Sequence, residues 1–126
     1  MITMHIEKKS DYGTQLFEIK KFIDSINTNK VVKNELLTLS SEIITNIQKY
    51  ASKGEFKISL DPSGKKVFLH ASDYGNGVSN ISLSFKDHFS TSGSLGIGLP
   101  TIVRLSDDFS MQSSQEGVVL HCVKEL

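Results

Sequence analysis

The chain carries one cysteine, two prolines and no net charge, its 14 Lys and Arg balancing 14 Asp and Glu. A single thiol excludes an internal disulfide, and a protein of the reducing cytosol needs none. A neutral balance without a basic stripe argues against a broad electrostatic grip on DNA or RNA. Apolar residues make up 38% of the 126, and no run approaches the ~18 residues that a membrane-spanning helix takes. The segment Met1 to Lys9 lacks the long apolar stretch of a signal peptide, so a cytoplasmic location is expected, with no membrane partner. No repeat, linker or low-complexity block interrupts the sequence, and residues 1–126 are expected to form one domain.

Glycine, by contrast, is concentrated. Of nine glycines, five (Gly75, Gly77, Gly93, Gly96 and Gly98) fall within 24 residues. Glycine gathered there, rather than spread over turns, suggests backbone that bends sharply or comes close to a ligand.

The periodicity predicts an α+β fold. Ile2, Met4 and Ile6 alternate with polar residues as a first strand. Leu16, Ile19, Phe22, Ile23 and Ile26 recur at helical spacing, with Asp11 as N-cap. Asn27-Thr28-Asn29 breaks that helix, and a second runs from about Val31 to Ala51 with an apolar stripe of Val32, Leu36, Leu39, Ile43, Ile47 and Tyr50. Gly54 is expected to end it as a C-cap glycine. Residues 55–72 read as a β-hairpin around the turn Asp61-Pro-Ser-Gly64. A short helix is expected near Ile81 to Lys86, then a helix over Leu99 to Leu105 with Pro100 in its first turn. Two strands, Asp108 to Ser113 and Val118 to Val123, close the chain around Gln115-Glu116-Gly117. Helices on one face of a mostly antiparallel sheet make a two-layer sandwich.

Three motifs carry chemistry. In Glu42-Ile-Ile-Thr-Asn46 a carboxylate and an amide share one helical face, and Lys49 can share it a turn further on. A carboxylate can act as general base and an amide oxygen suits a hard cation such as Mg²⁺; an exposed polar helix face accounts for the same residues. Asp73-Tyr-Gly75-Asn-Gly77 follows a strand, where the carboxylate can meet a ligand amino group while the backbone passes close by; an Asp-rich turn is the plainer reading. Ser92-Gly93-Ser94-Leu95-Gly96-Ile97-Gly98-Leu99-Pro100 runs into a helix, where successive N–H groups and the helix dipole can form an anion nest; a flexible loop is the alternative. Neither a Walker A motif nor a Rossmann fingerprint is present.

Taken in order, these motifs resemble the Bergerat-fold (GHKL) family of ATPases and kinases, which includes Hsp90, type II topoisomerase subunits, MutL proteins and histidine kinases. The resemblance covers the chain from about residue 31 to the end. Within that family, Phe89-Ser-Thr-Ser-Gly93-Ser-Leu-Gly-Ile-Gly98-Leu-Pro100, followed by Arg104-Leu-Ser-Asp-Asp-Phe109, is most similar to the small anti-sigma-factor serine/threonine kinases, in particular the stressosome switch kinases of the Rsb T type.

The resemblance implies ATP and Mg²⁺ as cofactors. Asn46 would hold the metal, and Glu42 would be the base that takes the proton from the attacking hydroxyl. Asp73 would accept a hydrogen bond from the adenine amino group, favouring ATP over GTP because guanine would leave the carboxylate unpaired. Gly75 and Gly77 would let base and sugar lie against the backbone. Gly93, Gly96 and Gly98 would wrap the phosphates, with Ser92 and Ser94 as side-chain donors, Leu95, Ile97 and Leu99 in the same loop, and Lys49 as a phosphate contact. Residues 79–92 would cover the nucleotide. The implied partners are a STAS-domain substrate and a PP2C-type phosphatase or a sigma-factor pathway protein.

One departure bears on mechanism: Val118 follows Gly117 where the family often has Thr. It keeps open a second reading, a nucleotide-binding docking module that sequesters or activates a partner. A histidine-kinase catalytic domain ranks lower, because no helix pair bearing a phosphoacceptor His is present. Cys122, in phase with Val118 and Leu120, reads as a core thiol, and Phe109 and Met111 as core. His5, His70, His88 and His121 show no metal-ligand spacing.

Overall fold

The computed structural model describes residues 1–7, 10–50, 53–73, 98–114 and 117–126. Strand β1 (Ile2–Glu7) is followed by helices α1 (Tyr12–Asp24) and α2 (Lys30–Tyr50), and then by strands β2 (Lys53–Leu60) and β3 (Lys66–Asp73). Helix α3 (Gly98–Leu105) and strands β4 (Asp108–Ser114) and β5 (Gly117–Glu125) complete the described chain. The predicted short helix near residue 81 and the segment 79–92 lie outside the described residues.

The helix starts follow capping chemistry. Asp11 accepts from the Thr14 backbone N–H at 3.2 Å and from the Thr14 hydroxyl at 2.8 Å, fixing the start of α1. At α2 the same role falls to Asn29, the last residue of the predicted helix breaker. Its side-chain oxygen accepts from the Val32 N–H at 2.8 Å, and its carbonyl accepts from Lys33 at 3.1 Å. The β2–β3 hairpin turns where Asp61-Pro-Ser-Gly64 predicts. The Gly64 N–H donates to the Asp61 carbonyl at 2.8 Å, and Gly64 takes a φ of +75°, a region that costs L residues strain.

The five strands form one antiparallel sheet in the order β1-β2-β3-β5-β4. Alternation along each strand sends one set of side chains inward: Ile6 from β1, Phe56 and Ile58 from β2, Val67, Leu69 and Ala71 from β3, and Val118, Leu120 and Cys122 from β5, all buried. Ile19 and Ile23 of α1, Leu36, Leu39, Ile43, Ile44 and Ile47 of α2, and Ile102 of α3 meet them. Each such aliphatic side chain contributes about 1.5–3 kcal/mol on burial. Helix α2 is the centre of the helical layer, packing against α1, α3 and strands β1, β2 and β3. The predicted two-layer α+β arrangement is therefore the observed one, and Phe109 and Met111 pack partly buried against the core as predicted.

One expectation is corrected. Gly54 does not cap α2. It lies within β2, paired to Ile6 on one side and Asp73 on the other. A Cβ there would stand 2.5 Å from the Ser72 carbonyl oxygen and 2.9 Å from Cγ2 of Ile47. Glycine is needed because the β3 backbone at Ser72 and the Ile47 side chain of α2 both crowd that point, not because a helix ends there.

Candidate functional site

Helix α2 positions two of the predicted residues. Ile43, Ile44 and Ile47 anchor its inner face at 2% exposure or less, and Asn46 lies among them at 6%. Glu42, one turn earlier, is half-buried. The 3.6-residue repeat explains the pairing: with Ile43 and Ile47 buried, their preceding neighbours at 42 and 46 occupy the next position round the helix. A buried carboxamide costs free energy unless its polar atoms are used. Its oxygen is a hard donor of the kind Mg²⁺ accepts, so Asn46 is chemically suited to supply one oxygen ligand to a metal ion.

The sheet supplies the neighbouring wall. Asp73 ends β3 directly opposite Gly54, and Ile47, the residue after Asn46, is the side chain that Gly54 admits. The missing Cβ thus brings the Asn46 turn of α2 down beside the strand end that carries Asp73. Gly54 is the positioning residue that helix-end reasoning misplaced. Its signal was present, because Gly54 is in phase with the inward residues Phe56 and Ile58.

Helix α3 starts at Gly98, the last glycine of the predicted anion loop, and packs on α2 through Ile102, which is fully buried. Its last carbonyl, from Leu105, accepts from Lys124 Nζ at 3.0 Å, and the same ammonium pairs with Glu35 of α2 at 3.3 Å. Lys124 is 8% exposed. It therefore ties β5, α2 and the end of α3 together from an inward-facing position. A cation at a helix C-terminus also meets the negative end of the helix dipole.

Of the other predicted residues, Leu99 belongs to α3, Lys49 to α2 and Asp73 to β3, and their side chains lie outside the described residues. Gly75, Gly77, Ser92, Gly93, Ser94, Leu95, Gly96 and Ile97 lie outside them altogether. Val118, the departure from the family pattern, is buried at 2%.

Cys122 is the core thiol that its sequence context predicts. Cys122 is fully buried, and that burial pushes its thiol up to about 11 against a small opposing effect of a hydrogen bond with Ser106. Among the described residues, no group of three or more His, Cys, Asp and Glu is placed to hold a metal ion, and no helix is long and apolar enough to cross a membrane.

No family model matches the chain. The serine/threonine-protein kinase RsbT of Bacillus subtilis (strain 168) is 40% identical to it over 94 residues, a span covering 72% of this chain and 71% of that relative. Identity at that level across most of both chains accompanies the motif order and the sandwich described above, and the chain belongs to the RsbT family of serine/threonine-protein kinases.

Proposed function

We propose that the chain is an ATP- and Mg²⁺-dependent protein serine/threonine kinase of the Bergerat type. It would act as a switch in a bacterial stress-signalling pathway by phosphorylating a STAS-domain protein and activating a PP2C-type phosphatase partner. The observation that carries this reading is the buried Asn46 set one helical turn from the half-buried Glu42. Two inward-tending polar residues at that spacing on the central helix serve a ligand better than they serve packing.

Phosphoryl transfer requires positioning and charge neutralisation more than covalent chemistry from the protein. Bound Mg²⁺ would neutralise charge developing on the phosphates. Asn46 would supply an oxygen to that metal. Glu42 would accept the proton of the substrate serine or threonine hydroxyl as that hydroxyl oxygen bonds to the terminal phosphorus and the bond from that phosphorus to the departing ADP oxygen breaks. Asp73 would read the adenine amino group, with Gly75 and Gly77 keeping the backbone clear. The N–H groups of Gly93, Gly96 and Gly98, with Ser92, Ser94 and Lys49, would bind the phosphates.

Glu42→Gln is the direct test. Removing a general base costs about 10²–10⁴-fold in rate, so transfer from radiolabelled ATP to the STAS partner should collapse while calorimetric ATP affinity stays close to wild type. Loss of ATP binding instead would mean that Glu42 holds nucleotide. The same calorimetry with GTP tests Asp73, since equal affinity for both nucleotides would remove its assigned role.

A second reading has its own observation. Val118 offers no hydroxyl where the family often has Thr, and it is buried. A docking module that binds nucleotide but works by sequestration or activation would retain partner activation in the Glu42→Gln variant.

A further inference from the structure

Four histidines with no useful linear spacing become two adjacent ones in the folded chain. His70 of β3 and His121 of β5 are directly opposed in the ladder, 51 residues apart in sequence. Their Nδ1 atoms lie 3.1 Å apart, with ring centroids at 4.4 Å and planes tilted by 59°. The pair stands on the sheet face opposite the helices, the face away from Asn46, and it is accessible: His70 is half-buried and His121 exposed.

We propose that His70 and His121 form a chelating pair for a divalent transition-metal ion, with Zn²⁺ as the reference ion. Imidazole nitrogen binds Zn²⁺ at about 2.0–2.1 Å. Two such bonds closing at about 100° span roughly 3.1 Å, the observed separation. Neutral imidazole carries one proton, so the present contact has one ring donating through Nδ1–H to a bare Nδ1. Moving that proton to Nε2 presents two lone pairs without net proton release. Water completes the coordination.

The surroundings favour a neutral His70 ring. Burial, the neighbouring His121 and the Lys57 ammonium, in that order, lower the pKa of His70, while Glu55 acts weakly the other way. Lys57 lies opposite His70 on β2 and opposes a second cation, but its charge is engaged by Glu55 at 3.5 Å. Ser110 faces His121 from β4. A bound ion would clip β3 to β5 at the middle of the sheet, and any ligand bound only by the folded state raises the unfolding midpoint.

The experiment titrates Zn²⁺ into nucleotide-free protein at pH 7.5 by calorimetry, for wild type, His70→Gln, His121→Gln and His5→Gln. His5 is the control, exposed on β1 of the same sheet. Losing even an outer partner of a ligand weakens metal affinity about 10–100-fold, so each of His70→Gln and His121→Gln should weaken binding at least that much. Wild type and His5→Gln should bind one equivalent. In parallel, imidazole nitrogen spectra of wild type should show Zn²⁺ shifting Nδ1 of two histidines alone, a readout that needs no variant to fold. Absent binding in wild type, an affinity unchanged in both variants, loss in one variant only, or shifts confined to His5 or His88 would each overturn the proposal.

Discussion

At the scale of single residues, burial decides chemistry. Cys122 shows this for a group the proposed mechanism does not use. With its pKa raised from 9.0 to about 11, the thiolate fraction near pH 8 is about a hundredfold below that of the unfolded chain. Native protein should therefore react with a disulfide reagent at least that much more slowly than protein in guanidinium. His70 makes the opposite case for a cation. Its folded pKa lies below the unfolded value of 6.5, so the unfolded chain binds more protons as pH falls through 6.5. Its contribution is present above that pH and lost on acidification. Urea unfolding with a chelator present should show a midpoint that drops between pH 7.5 and 5.5. His70→Gln should flatten that drop. His121→Gln should flatten it less, because burial outweighs the neighbouring ring.

At the scale of elements, the sequence was most readable where a local rule had a single solution. The sequence pattern located all five strands, Asp11 announced its cap, and Asp61-Pro-Ser-Gly64 its turn. The Glu42 and Asn46 pair was legible for the same reason, since helical spacing alone puts positions i and i+4 together. What stayed illegible depended on partners remote in sequence. Gly54 was misread because a glycine soon after a helix ordinarily caps it. Its real constraint, the approach of the Ser72 carbonyl and of Ile47, exists only once β3 has paired with β2 and α2 lies on the sheet. The histidine pair is hidden likewise until β3 meets β5. Two substitutions test these readings by denaturant unfolding. Gly54→Ala should cost about 1–3 kcal/mol, as overpacking against fixed backbone does. Asn29→Ala should cost about 1 kcal/mol through the lost cap, while Asn27→Ala stays within about 0.5 kcal/mol.

At the scale of the whole molecule, the helical layer is held to the sheet by packing and by polar ties. Gln15 of α1 and Gln48 of α2 donate to the β1 carbonyls of His5 and Glu7, and Lys124 is the charged tie. Lys124 joins three elements through Glu35 and the Leu105 carbonyl. Replacing it with Met removes hydrogen bonds made by a charged group, and the expected loss is about 1.5–3 kcal/mol. Because Glu35 shares the interaction, the Glu35→Gln/Lys124→Met double variant should lose less than the sum of the singles, a coupling that a double-mutant cycle reads directly.

The strand order carries a consequence in time as well as in space. Ladders β2–β3 and β4–β5 each join strands that are close neighbours in sequence, whereas the β3–β5 ladder, at the middle of the sheet, and the β1–β2 ladder, at its edge, unite segments more than forty residues apart. Loop closure over such a span comes before its contacts return anything, which slows non-local pairing. We expect the two hairpins to arise early, their union at the centre of the sheet to be the slow event, and β1 to add at the edge after it. Leu120→Ala, on the seam, should then slow refolding in a stopped-flow chevron. Ile2→Ala, at the sheet's edge, should hasten unfolding and leave the refolding limb in place. The two hairpins of this sheet would be old acquaintances within themselves and late arrivals to each other.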